Sequence, residues 1–358
     1  MWRRDLPIRL LPAWMGLAAA AGFYRIGVGA RHFYWRVMRR RAPMLTVSVG
    51  NLTIGGNGKT PFTLFLARHL QSQGLRVGIV SRGYQRRSKA RAELIADGGK
   101  LKIPLEQAGD EPAMMAKSFT GPIAVARRRF DGIELLRRLA PLDAVILDDG
   151  FQHVRLKREI DLVLVSNELG FGNGWVLPAG PMRESVRAVR RADAIIVMNT
   201  GTGASAIRPS QMKKLTRRKM LQASVRARAF SVSEQGTWHE TPLALGGRRV
   251  LAVSGLADSS GFYAMLRELD AELVGVFEYP DHHAYTTADW QAMINAMRDT
   301  DLIITTEKDL VKLERFPFPR NSLYALKLEV TMDPDDTQAL DELILGRMKE
   351  AATAVAGA

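Results

Sequence analysis

Leu45–Pro61 reads LTVSVGNLTIGGNGKTP, and this stretch decides the fold. Leu45–Val49 is a β-branched apolar run between Pro43 and Gly50, which predicts a strand. The glycine-rich run Gly55-Gly56-Asn57-Gly58 then ends in Lys59-Thr60. An amphipathic pattern from Pro61 to about Gln73 predicts a helix, with proline in the first turn, where it is tolerated. Strand, glycine-rich loop and helix in this order form the context of a phosphate-binding loop. Its amides would point at phosphate oxygens, Lys59 would neutralise their charge and the Thr60 hydroxyl would ligate magnesium. The loop departs from G-x-x-x-x-G-K-T at Thr53 and follows the shorter form G-G-x-G-K-T.

Working outward, Val77–Ser81, Asp143–Leu147, Leu162–Val165 and Ala194–Met198 are further apolar runs. Separated by helical patterns, they predict an α/β fold with a parallel sheet flanked by helices. Asp143–Leu147 delivers Asp148-Asp149 to the carboxyl end of its strand, where ligands of open α/β sheets bind. Asp148 is the better candidate for a metal-linked carboxylate, with Asp149 behind it or as a second ligand. A charged stretch, Arg217–Arg228, marks a change of domain, and the alternation restarts beyond it. Strands are expected at Arg249–Ser254, Glu272–Phe277, Leu302–Thr305 and Ser322–Leu328. Helices are expected at about Ser260–Leu269, Thr287–Met297 and Asp335–Lys349. The expected organisation is a basic apolar segment 1–41, a phosphate-loop domain 42–224 and a second α/β domain 225–358, whose terminal helix could pack back on the first.

Composition agrees with folded domains. Of 358 residues, 46% are hydrophobic and 25% charged, which leaves no room for a disordered or collagen-like chain. Cysteine is absent, which excludes disulfides, thiolate zinc sites and a cysteine nucleophile. The net charge is +14, and residues 1–41, with nine arginines and one acid, supply eight of these charges. A nucleic-acid binder would spread its basicity differently. Leu10–Tyr24 is uncharged, but as a helix it spans only about 22 Å, short of a ~30 Å hydrocarbon core. Arg25, Arg31, Arg36 and Arg39–Arg41, interleaved with Phe33, Tyr34 and Trp35, suit a helix lying at an anionic membrane surface. The alternatives are a helix packed on its own domain and a cleaved signal peptide.

Three further clusters carry chemistry. Gly109-Asp110-Glu111-Pro112 puts two acids at a helix start; there a carboxylate can orient an alcohol and accept its proton, though the helix dipole alone favours acids at that place. Gln152-His153 follows the Asp pair, and Leu177–Glu184 ends in Arg183-Glu184, where Arg183 could meet a substrate phosphate or form a surface ion pair. Tyr279-Pro280-Asp281-His282-His283 follows a strand. It shows no third ligand at metal spacing, so a histidine paired with a carboxylate is the better reading. Thr305–Asp309 (TTEKD) fails the N/T-K-x-D guanine pattern, which favours ATP.

Taken together, SVGNLTIGGNGKTP, SRGY (Ser81–Tyr84), GDEP, LDDGFQH, LPAGPMRE, the Asp281-His282 loop and TTEKD resemble the tetraacyldisaccharide 4'-kinase family of lipid A biosynthesis. The resemblance implies transfer of the ATP γ-phosphate to the 4'-hydroxyl of tetraacyldisaccharide 1-phosphate, giving lipid IVA, with ATP and Mg²⁺ as cofactors. It implies two Rossmann-like domains behind a membrane-associated N-terminal helical segment. The place of work would be the cytoplasmic face of the Gram-negative inner membrane, peripheral or monotopic, with a lipid substrate, a membrane surface and no nucleic acid as partners. Residue by residue it implies Gly55, Gly56, Asn57, Gly58, Lys59 and Thr60 on ATP phosphates and Asp110 with His282 as the catalytic pair. The metal set would be Thr60, Asp148, Asp149 and Glu111, and Gln152, His153, Arg183 and Glu184 are substrate candidates; His283 remains an alternative to His282. The rival readings are a targeting-type P-loop ATPase, whose early loop lysine is replaced here by Ile54, and a charge-driven binder indifferent to Lys59.

Overall fold

The computed structural model describes residues 11–55, 58–83, 88, 90–200, 205–234, 237–242, 244–256 and 258–356. Gly56 and Asn57 of the loop, and Tyr84, lie outside them. In chain order the principal elements of the first half are α1 (Leu11–Val37), β1 (Leu45–Asn51), α2 (Lys59–Ser72), β2 (Val77–Ser81), β3 (Ala92–Asp97), α3 (Asp110–Ser118), β4 (Ile123–Ala126), α4 (Arg129–Leu139), β5 (Ala144–Asp148), β6 (Ile160–Ser166) and β7 (Ala194–Asn199). The chain continues with β8 (Lys219–Glu234), β9 (Arg249–Ser254), α5 (Ser260–Glu268), β10 (Glu272–Glu278), α6 (Thr287–Ala296), β11 (Leu302–Thr306), α7 (Glu307–Leu313), β12 (Leu323–Thr331) and α8 (Pro334–Ala356).

All of these strands join one fourteen-stranded sheet in the order β10-β9-β11-β12-β8-β7-β6-β1-β5-β2-β4-β3, with Lys100–Leu101 and Thr237–Thr241 completing it. The expectation of a parallel sheet needs correction, because the sheet is mixed. β8 to β4 form one parallel run and β10 to β12 another. The two runs meet antiparallel, with Val225 opposite Val330 and a register shift between Ala227 and Ala229. At the far edge β3 is antiparallel to β4. The stretch Arg217–Arg228 is therefore mostly strand. Along β8, Leu221, Ala223 and Val225 are buried while Gln222, Ser224 and Arg226 are less so, the period-two pattern of a strand.

The central strands are buried on both faces: every residue of β1, β2, β4, β5 and β6 is buried. Helices cover each face, with α2 and α3 on the largest apolar cluster and α4 on another. β1 approaches the turn after β5 so closely that a Cβ on Gly50 would lie 2.6 Å from Phe151 Cβ. Gly58 leads into α2 with a φ of 69°, which is left-handed and favours glycine. α8 returns to the first half, where Asp341 meets His69 of α2 at 2.7 Å and Arg347 meets Asp193 at 2.9 Å.

α1 is longer than the apolar core Leu10–Tyr24 because it carries on through Arg25, Arg31 and Arg36. Trp14 packs edge-to-face on Trp175, Arg31 Nη2 donates to Gln152 O at 2.6 Å and Tyr24 Oη donates to Arg183 O at 3.1 Å. The opposite side leaves Phe23, Ile26 and Phe33 at least 70% exposed. Among the described residues no helix is long and apolar enough to cross a membrane.

Candidate active site

The site is built from strand ends of the first half and loops of the second. Lys59 opens α2, with Nζ 3.8 Å from Asp149 Oδ1 and 3.4 Å from Gly55 O. Thr60 follows it, half-buried, at the second helical position. Asp148 ends β5 and is 2% exposed. Thr63 Oγ1, one turn beyond Thr60's neighbourhood in α2, donates to Asp148 Oδ1 at 3.3 Å, and Ser81 Oγ at the end of β2 donates to Oδ2 at 3.2 Å. Sequence reasoning missed Thr63 and assigned Ser81 no role; hydroxyls on the helix and the neighbouring strand, facing an acid at a strand end, were the available signal.

Asp149 turns the chain with φ 49°, an uncommon left-handed conformation for a non-glycine residue. Arg183 Nη1 donates to both its oxygens, at 2.9 and 2.8 Å, and lies 3.4 Å from Gln152 Oε1. Gln152 Nε2 donates to Asn51 O at 2.9 Å, tying this loop to the end of β1. Arg183 and Glu184 do not pair with each other. Glu184, 5% exposed, accepts two hydrogen bonds from Arg191, at 2.7 and 3.0 Å, and lies 3.7 Å from His32 of α1.

Beneath the acid turn lies Arg129, which the sequence did not single out. It is 2% exposed, and its guanidinium donates to Ala126 O and Asp148 O, each at 3.0 Å, and to Asp149 O at 3.5 Å. Burial pushes its pKa down to about 10. Burial also dominates the acids. It raises Asp148 to about 7, with Glu111 and Asp149 adding repulsion, and it raises Glu111. Burial opposes the charge of Asp149, but Lys59 and Arg183 outweigh it and hold the carboxyl below its ordinary value. Burial and nearby arginines push His153 down to about 3, so it is neutral at pH 7.

Asp110 and Glu111 form the first turn of α3 after Gly109, whose φ is 87°. The second half closes on this turn. His282, with φ 61°, sets Nδ1 3.3 Å from Asp110 Oδ2 and Nε2 3.7 Å from Asp281 Oδ2. His283 faces elsewhere: its Nε2 is 3.0 Å from Asp289 Oδ2 and its ring stacks on Tyr279 at 4.6 Å. Of the two histidines, His282 is thus the one beside Asp110. From α7, Lys312 Nζ lies 3.4 Å from Asp110 Oδ2 and Lys308 Nζ lies 2.6 Å from Asp281 Oδ1. Glu111 feels Lys308, Lys59 and Asp149, so the acid turn of α3 borders the phosphate loop on one side and α7 on the other.

The donors gathered here are carboxylate and hydroxyl oxygens, the hard ligands that Mg²⁺ prefers. Asp148, Asp149 and Glu111 repel one another in a buried setting, a strain that a divalent cation beside the loop relieves. The residues present therefore fit the magnesium that accompanies ATP, although no cage of three or more acids and histidines is preformed among the described residues.

Comparison with known proteins identifies the family of the chain. Residues 13–349 match the family described as tetraacyldisaccharide-1-P 4'-kinase, LpxK. The tetraacyldisaccharide 4'-kinase of Syntrophus aciditrophicus is 35% identical, over 92% of this chain and 91% of its own length. That of Syntrophobacter fumaroxidans is 38% identical, over 88% and 83%. The crystal structure of Aquifex aeolicus LpxK in complex with ATP superposes with a TM-score of 0.75 at 28% identity, covering 95% of this chain and 98% of that one. The chain belongs to the tetraacyldisaccharide-1-P 4'-kinase family.

Proposed function

We propose that the protein transfers the γ-phosphate of ATP to the 4'-hydroxyl of tetraacyldisaccharide 1-phosphate, giving lipid IVA. One observation carries the reading: Asp110, at the edge of the phosphate-loop centre, is paired with His282 from the other half of the chain. Asp110 orients the sugar hydroxyl and accepts its proton, and His282 holds Asp110 in place. Gly55, Gly56, Asn57 and Gly58 cradle the phosphates with backbone amides, and Lys59 neutralises their charge. Asp148, Asp149, Glu111 and Thr60 would hold Mg²⁺, which when bound neutralises charge on the phosphates. Arg183 and Gln152 keep Asp149 oriented, and Glu184 with Arg191 anchors the loop that carries Arg183. His153, neutral beside these groups, offers a hydrogen-bonding partner to the sugar.

In this reading residues 42–224 form a phosphate-loop domain and 225–358 a second α/β domain, with α8 returning to the first. Residues 1–41 form a membrane-associated segment at the cytoplasmic face of the Gram-negative inner membrane. The exposed Phe23, Ile26 and Phe33 beside arginines support an interfacial helix, which brings the site to a substrate whose acyl chains stay in the bilayer. The test is transfer from γ-labelled ATP to tetraacyldisaccharide 1-phosphate in detergent micelles, with Lys59→Ala as control. The expected result is labelled lipid from the wild type only. ATP turnover without lipid labelling by folded protein overturns the reading in favour of a targeting-type ATPase.

A further inference from the structure

Lys312 sits where a charge needs a reason. It is 7% exposed, and a buried ammonium persists only when it is paired. Its Nζ lies 2.9 Å from Asp309 Oδ1 and 3.4 Å from Asp110 Oδ2, donates to His283 O at 3.1 Å, and stands 5.2 Å from the centre of the Tyr285 ring. Asp309 is itself fully buried and fixed, since its Oδ2 accepts from Gly255 N at 2.9 Å and Thr306 Oγ1 at 2.8 Å. Lys312 is therefore held on a rigid support belonging wholly to the second half. From there it reaches the same oxygen of Asp110 that His282 Nδ1 meets.

Two cationic or donor groups on one carboxylate oxygen leave the other oxygen to do something else. Among the described residues Asp110 Oδ1 accepts no hydrogen bond. The geometry points to Lys312 as a positioning residue: it and His282 clamp Oδ2 of Asp110, so that Oδ1 is the oxygen presented to the acceptor hydroxyl, and only while the second half is docked on α3. This rests on the reading of Asp110 as the group that takes the sugar proton. In the step itself the sugar oxygen bonds to the γ-phosphorus, the bond from that phosphorus to the bridging oxygen of ADP breaks, and the hydroxyl proton passes to Oδ1. Lys312 gives up no proton. Its contribution is angular, and misplacing a reacting group by about 1 Å costs on the order of 10²-fold in rate.

The experiment compares Lys312→Met, Lys312→Arg, Asp110→Asn, the pair Lys312→Met/Asp309→Asn and the triple variant Lys312→Met/Asp309→Asn/Asp110→Asn, measuring kcat and KM for both substrates, and melting. Lys312→Met alone leaves Asp309 buried and uncompensated, which costs stability. The added Asp309→Asn removes that charge while keeping an acceptor for Gly255 N. The expected result is a Lys312→Met/Asp309→Asn protein that melts near the wild type, binds ATP with a KM within about twofold, and has kcat lowered by roughly 10–100-fold. Lys312→Arg, which keeps the charge, should recover part of the loss. In the Asp110→Asn background the Lys312→Met/Asp309→Asn pair should change the residual rate by less than about threefold, because Lys312 acts through that one carboxylate. Wild-type kcat in the Lys312→Met/Asp309→Asn protein overturns the proposal and reduces Lys312 to a counter-ion for Asp309. Undiminished activity in Asp110→Asn overturns the reading beneath it instead.

Discussion

Arg129→Met should separate the support of the acid turn from the acids themselves. Arg129 is buried under β5 and donates to Ala126 O and Asp148 O at 3.0 Å, with a longer contact to Asp149 O at 3.5 Å. A charge-assisted hydrogen bond contributes about 1.5–3 kcal/mol, so the two short ones together account for roughly 3–6. Removing a desolvated guanidinium returns part of this, because burial already works against its charge. The net loss expected is about 2–4 kcal/mol, or a fall in melting temperature of roughly 3–5 °C for a chain of this size. The unsupported carbonyls of Asp148 and Asp149 let the turn shift, and kcat should fall at least tenfold, the order expected for misplaced acids. Arg129→Lys keeps the charge but not the planar fork, and should rescue little. The assays are urea unfolding, thermal melting and labelled phosphate transfer. An Arg129→Met protein with wild-type melting and turnover would refute the claim that this guanidinium holds the acid turn.

Gly50→Ala should cost about 1–3 kcal/mol in urea unfolding, since its Cβ would fall 2.6 Å from Phe151 Cβ; unchanged stability would mean that β1 and the Phe151 turn are looser than described. His153 titrates near 3 in the folded protein, so the unfolded chain takes up its proton first as pH falls through 6.5. Stability is therefore lost between pH 6.5 and about 3, and from pH 7 to 5.5 the wild type should lose about 1 kcal/mol more than His153→Asn. Equal losses in the two proteins would remove His153 as the cause. Phe23→Ser with Phe33→Ser, two side chains each 77% exposed, should leave melting unchanged and weaken binding to anionic vesicles at least tenfold, since each phenyl group supplies roughly 2 kcal/mol on burial. Unaltered flotation with vesicles would contradict the interfacial helix.

The strands that could be read from the sequence are those whose apolar runs are unbroken. Arg249–Ser254 is a strand at the predicted bounds, and β1, β5, β6, β7 and β11 differ from expectation by only a few residues. β8 could not be read as easily, because Arg226 and Arg228 interrupt it and their alternation with Val225, Ala227 and Ala229 passes for surface charge. It is also the strand that makes the sheet mixed, and pairing direction leaves no mark in one strand's composition. α1 extends past Tyr24 because Arg25 and Arg31 end the apolar run without ending the helix. In the site, Lys59, Asp148, Asp149 and Asp110 stand in motifs whose residue types carry chemistry. Arg129, Thr63 and Lys312 are ordinary helical residues, and they acquire a role only when the fold sets them against an acid distant in the chain. The same holds for Arg183 and Glu184. Adjacent in sequence, they suggest a pair, whereas their loop turns them to Asp149 and Arg191.

The central claim is that two halves of the chain make one phosphoryl-transfer centre at Asp110 and His282. The direct measurement is the rate of label transfer from γ-labelled ATP to tetraacyldisaccharide 1-phosphate for the wild type, Asp110→Asn, His282→Gln and the double variant, with ATP binding measured alongside. The account predicts losses of about 10²–10⁴-fold in Asp110→Asn, a large loss in His282→Gln, intact ATP binding, and a double variant within about threefold of the worse single one. Wild-type transfer by His282→Gln, or losses that simply multiply in the double variant, would contradict it.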